Sequence, residues 1–106
     1  MPTARIVVPR QVKKGEIFEI KTLITHDMET GYRRDSEGRP IPRDILNRLV
    51  VRYDSEEIFS ADLFPGVSAN PYVAFTTVAT TSGEMTFAWT DDSGATYTEK
   101  VAIKVV

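Results

Sequence analysis

The only histidine of the chain, His26, stands among groups able to do chemistry: Asp27, Met28 and Glu29 follow it directly, and Arg33 and Arg34 lie just beyond. A metal site is the first chemistry to weigh. Zinc takes three or four protein ligands, and neither a second histidine nor any cysteine exists to join His26. If a strand runs through His26, extended geometry also sends Asp27 to the opposite face. A calcium loop would need alternating Asp or Asn and a closing Glu at the EF-hand spacing, which the sequence lacks. General-base catalysis would need a nucleophile, but Ser36, Ser55, Ser60, Ser68 and Ser93 stand in no elbow or triad order. The pairs Glu56-Glu57 and Asp91-Asp92 are adjacent at strand ends and read as solvated turn residues rather than an acid/base pair held across a cleft. Two readings of His26 stay in play besides the metal. It is the last residue of a buried row, bonding backbone at the root of a loop, or it is a contact for another protein.

Strands must position these groups, because alternation with a period of two dominates the chain. Phe18, Ile20, Thr22, Ile24 and His26 share one face, with Glu19, Lys21 and Thr25 on the other. Met85, Phe87 and Trp89 alternate with Thr86, Ala88 and Thr90, and Tyr97, Val101, Ile103 and Val105 with Thr96, Thr98, Lys100 and Lys104. Ile45, Leu49, Val51 and Tyr53 repeat the pattern, and shorter candidates run from Arg5 to Val8, Ile58 to Leu63 and Tyr72 to Thr80. Trp89, Phe87 and Tyr97 are expected in the core. Glycine-bearing turns separate the runs. The pattern predicts one all-β domain over residues 1–106, an immunoglobulin-like antiparallel β-sandwich of about seven strands. Helix is confined at most to one turn near Pro42–Leu46. From Asp27 to Arg43 there is no periodicity, and a loop this long in a compact domain tends to be functional or partner-bound. Asn70-Pro71 marks a second polar turn, and Tyr72 after it could cover the core edge or anchor an interface.

Composition narrows the function further. With no cysteine among 106 residues the chain can form no disulfide and offers no thiolate nucleophile. Net charge is −2, and Arg33, Arg34, Arg39 and Arg43 are interleaved with Asp27, Glu29, Asp35, Glu37 and Asp44. Their fields largely cancel, whereas nucleic-acid binding needs an uncompensated basic stripe. No apolar run approaches the roughly 18 residues of a membrane span. The N-terminus lacks the pattern of a signal peptide, which by itself reads as cytoplasmic.

Four stretches together resemble the SoxZ family of bacterial sulfur oxidation: HDMETGYRRD at 26–35, GRPIPRDIL at 38–46, SANPYVAF at 68–75 and SGEMTFAWTDDSG at 82–94. Family members often carry proline where Asp27 stands, so a conformational restraint at the loop's start is missing here. The resemblance implies a β-sandwich without cofactor or catalytic residue. It would pair with SoxY, whose C-terminal arm carries sulfur intermediates of thiosulfate oxidation on a cysteine, and through it meet the other Sox enzymes. It also implies a periplasmic complex exported on the partner's signal peptide, which revises the cytoplasmic reading. A generic immunoglobulin-like accessory or adhesion module of an exported assembly is the alternative. The expected partner surface comprises His26, Asp27, Met28, Glu29, Thr30, Gly31, Tyr32 and Arg33 of the loop with Asn70, Pro71 and Tyr72 of the turn. Met28 and Tyr72 are expected to be removable with little effect on folding.

Overall fold

The computed structural model describes residues 3–106. Eight strands form two sheets: β1 (Ala4–Val7), β2 (Gln11–Val12), β3 (Ile17–Ile24), β4 (Leu46–Tyr53), β5 (Glu56–Asp62), β6 (Tyr72–Val78), β7 (Gly83–Asp91) and β8 (Thr96–Val105). One sheet has the order β1-β3-β6 and the other β2-β8-β7-β4-β5. The chain therefore forms the expected all-β sandwich.

Alternation decides which residues face inward. β3 buries Phe18, Ile20, Thr22 and Ile24, and β7 buries Met85, Phe87 and Trp89. Thr22 is the polar member of its row, and its hydroxyl donates to the Val73 carbonyl at 2.8 Å, which removes the cost of burying it. Phe87 and Trp89 lie fully buried with ring centroids 6.3 Å apart, whereas Tyr97 is half-buried against the core's edge. Leu46 and Leu49 are both buried although three positions apart, because the β4–β7 register slips between Leu46 and Arg48, which breaks strict alternation.

Two expectations about elements differ from the structure. Strand β2 was not anticipated, and its pairing with β8 is parallel, Gln11 opposite Lys104 and Val12 opposite Val105. Two residues are too few to show a period of two. No helical turn forms at Pro42–Leu46. Asp44 instead exchanges backbone hydrogen bonds with Glu29 at 2.8 and 2.9 Å, and the Ile45 N–H donates to Asp92 at 3.1 Å. The groups a helical turn would use are already bonded across the loop.

The molecule is drawn out, 59 × 20 × 20 Å, with a Cα radius of gyration of 16.2 Å, above the ~13 Å of a compact chain of this size.

Candidate functional site

The long loop begins where β3 stops. Thr25 and Thr3 bond twice, through the Thr25 N–H to the Thr3 carbonyl and the Thr3 N–H to the Thr25 hydroxyl, at 2.9 and 2.7 Å. His26 lies one residue further on and is half-exposed. It is thus not the last member of the buried row, because the chain has left the sheet. Its backbone anchoring does occur. The His26 N–H donates to Asn70 Oδ1 at 3.0 Å, and the Asn70 N–H donates to the His26 carbonyl at 2.7 Å. The imidazole Nδ1 accepts the Met28 N–H at 2.9 Å, which leaves the proton of the neutral ring on Nε2.

Met28 reverses the chain. Its φ of 53° is left-handed, an uncommon conformation for a residue with a side chain. The turn sends Met28 inward, where it is 4% exposed and its sulfur accepts the Leu46 N–H at 3.3 Å. Met28 is therefore a core residue. The expectation that it is a removable surface contact is overturned by this reversal. Glu29 then bridges to Asp44, and its carboxylate is ion-paired to the Arg33 guanidinium. That hydrogen bond holds the Glu29 carboxyl below its ordinary pKa and raises Arg33. Gly31 has a φ of +85°, and a Cβ placed there would come within 2.9 Å of Arg43 Cβ. The two legs of the loop approach so closely that only glycine fits.

The return leg is fixed by Asp92. Arg43 donates to both its oxygens at 2.9 Å, and the Ile45 N–H and Asn47 amide each add a bond at 3.1 Å. Asp91 beside it is 6% exposed and accepts from the Ser93 hydroxyl at 2.6 Å, the Ser93 N–H at 2.9 Å, the Ala95 N–H at 3.0 Å and the Tyr97 hydroxyl at 2.9 Å. Both carboxyls are held below the ordinary range, Asp91 chiefly by Ser93 and Asp92 chiefly by Arg43. They are structural acceptors, which corrects the reading of Asp91-Asp92 as solvated turn residues. No sequence period marks a carboxylate that turns back on its own loop.

Between these anchors the loop is an irregular hairpin. Arg34 bridges to Pro40, and the Asp35 N–H donates to the Arg39 carbonyl at 2.9 Å. Arg39 pairs with Asp35 at 3.2 Å and with Glu37 at 2.7 Å. Backbone donation from Arg39 leads the lowering of the Asp35 pKa. Tyr32 projects from the outgoing leg and is 81% exposed.

A cleft of about 710 Å³ opens at the root. His26, Asp27, Met28, Glu29, Thr30 and Arg33 line it from the loop, and Asn70 closes it from the turn. The structure thus brings together most of the residues singled out from the sequence. Gly31, Tyr32, Pro71 and Tyr72 lie outside the lining. Pro71 is buried, and Tyr72 opens β6 opposite Leu23 with 59% of its surface exposed. Thr25, Asp44 and Tyr97 complete the cleft and were not anticipated in it. For Tyr97 the signal was present but ambiguous: it alternates as a core residue, while its polar tip needed a partner and found Asp91. Among the described residues no three His, Asp or Glu side chains are grouped to hold a metal ion. The polar groups of the cleft largely bond one another, an arrangement suited to holding a shape.

The family model for sulphur oxidation protein SoxZ matches residues 6–102. The chain belongs to the SoxZ family. A role in Sox-system sulfur oxidation goes with that membership. No curated protein sequence matches the chain. Among solved structures it is similar to the sulfur carrier protein SoxY from Chlorobium limicola f. thiosulfatophilum, at 12% identity and TM-score 0.69, covering 97% of this chain and 78% of that one. It is also similar to superoxide reductase (neelaredoxin) from Ignicoccus hospitalis, at 17% identity and TM-score 0.71, covering 98% and 80%. At such identities the likeness is one of fold, and neither protein's activity comes with it.

Proposed function

We propose that this SoxZ-family chain is a non-catalytic subunit that pairs with a SoxY-like chain in a sulfur-carrier heterodimer. The observation that carries the reading is the family match along nearly the whole chain. Its chemistry agrees: with no cysteine, the chain offers no thiolate to which a sulfur intermediate could be attached. The covalent cargo then rides on the partner's cysteine, and the other enzymes of thiosulfate oxidation are met through that partner. The complex would work in the periplasm, reached by export together with the partner.

Of the residues expected at the contact, Tyr32 on the loop and Tyr72 after the turn are exposed and suited to meeting a partner, since tyrosine combines an apolar body with a polar tip. Co-expression with the SoxY-like subunit of the same host, followed by native mass spectrometry, tests it. A stable complex containing one copy of each chain, with sulfur adducts removable by a thiol reductant on the partner only, is the expected result. A chain that purifies alone, or with a partner lacking cysteine, overturns it.

A further inference from the structure

The outer face of the three-stranded sheet is covered by none of the described residues. Outward residues of β3 and β6 pair in rungs, Leu23 with Tyr72 at one end and Ile17 with Val78 at the other, with Ala74 and Thr76 between. On β1, Val7 stands opposite Lys21. Eight large hydrophobics are exposed among the described residues, and five of them, Val7, Ile17, Leu23, Tyr72 and Val78, share this one face. The outward rows of the larger sheet differ: Arg48, Arg52, Glu84, Lys100 and Lys104 are exposed there. Apolar exposure gathered on one face, while the other carries charge, marks an interaction surface.

We propose that this face receives the SoxY-like subunit, sheet packed on sheet. The inference rests on the pairing proposed above and assigns it a surface. Two observations favour that occupant. SoxY is similar in fold over 97% of this chain, so such a partner has a matching sheet to present, and two similar chains can meet through like faces about an approximate two-fold axis. Charge disfavours a second copy of this chain. The ionisable residues of the face are Arg5, Glu19 and Lys21, and Glu19 pairs with Lys21 at 3.6 Å. Arg5 has no ion pair among the described residues, so two copies would meet with unmatched positive charge, whereas a different chain can supply a carboxylate. The Asn70-Pro71 turn runs straight into β6 at Tyr72, which makes the candidate turn and this face one continuous surface.

The test places a charge on outward, exposed positions. Ile17→Lys and Val78→Lys are made alongside Thr98→Lys on the outer side of β8, and each is titrated against the SoxY-like subunit by calorimetry. The first two should lose at least about tenfold in affinity, the scale of an interfacial hot spot, with unchanged melting of the isolated chain, while Thr98→Lys binds as the parent does. Should the lysine variants unfold, Ile17→Thr and Val78→Thr keep the β-branched shape, and a loss of about threefold or more is expected. Full affinity in folded variants at both positions overturns the surface while leaving the pairing intact. A parent chain that binds no SoxY-like subunit overturns the pairing itself and the surface with it. Sedimentation showing a dimer of the isolated chain that the lysines dissolve, with partner affinity unchanged, assigns the face to a second copy and overturns the proposal.

Discussion

Met28 and Gly31 show how single residues fix the loop that the family pattern singles out. Met28 is held in a left-handed turn by His26 and seated in the core. Met28→Ala should therefore cost about 2–5 kcal/mol, as for other buried methionines, read as a lower urea midpoint at unchanged slope. Gly31→Ala meets both a left-handed φ and the Arg43 contact, so a loss of at least about 1–2 kcal/mol is expected in the same experiment. Asp91 and Asp92 act through pH. Both carboxyls have folded pKa values below their ordinary ones. The unfolded chain therefore takes up protons first on acidification. The stability they contribute is complete above the ordinary value of about 3.9 and is lost as pH falls through the lowered folded values. Asp91→Asn and Asp92→Asn should each flatten the acid limb of a plot of stability against pH below about pH 5. Parent and variants with parallel acid limbs would show that these bonds do not couple to folding.

At the scale of elements, period-two alternation carried most of the legible information. The inward rows of β3, β4, β7 and β8 are close to those read from Phe18 to Ile24, Leu49 to Tyr53, Met85 to Trp89 and Tyr97 to Val105. What escaped was non-local. β2 is too short to alternate and exists because the chain runs beside the end of β8. His26 fits the alternation of β3 by type, yet the sheet stops at Ile24 because the chain turns toward Asn70, a bond across 44 positions of sequence. The hairpin of residues 27–43 has no period at all, since it is held by Asp35, Asp92 and the Glu29–Asp44 bridge rather than by a buried face. Asp92→Ala should therefore act on this element selectively. It leaves the Ile45 N–H and Asn47 amide short of an acceptor and frees Arg43, a cost of about 1–3 kcal/mol. Amide exchange should quicken across residues 29–45 while β3 and β7 stay protected. Uniform quickening would mean that the loop and the sheets open as one unit.

For the whole molecule, the distribution of charge separates the two surfaces a partner could use. The loop presents Arg33, Arg34, Arg39, Asp35 and Glu37, all near water, and contacts made through such groups weaken as salt shortens the Debye length. The outer face of the three-stranded sheet presents chiefly Val7, Ile17, Leu23, Tyr72 and Val78, whose burial is indifferent to salt. If that face holds the SoxY-like subunit, affinity measured from about 0.05 to 0.5 M sodium chloride should stay within about threefold, and binding should carry a negative heat-capacity change. A fall of more than about tenfold over the same range would move the contact to the charged hairpin. Linkage gives the same complex a second signature. A partner that binds only the folded chain, present at about 100 times its Kd, adds about 2.7 kcal/mol, which for a domain of this size raises the melting temperature by roughly 10–20 °C. The lysine substitutions at Ile17 and Val78 should cut that rise to about half or less at fixed partner concentration, as a tenfold loss of affinity requires, while leaving the melting of the chain alone where it was. A rise of full size in those variants would place the partner elsewhere on the molecule.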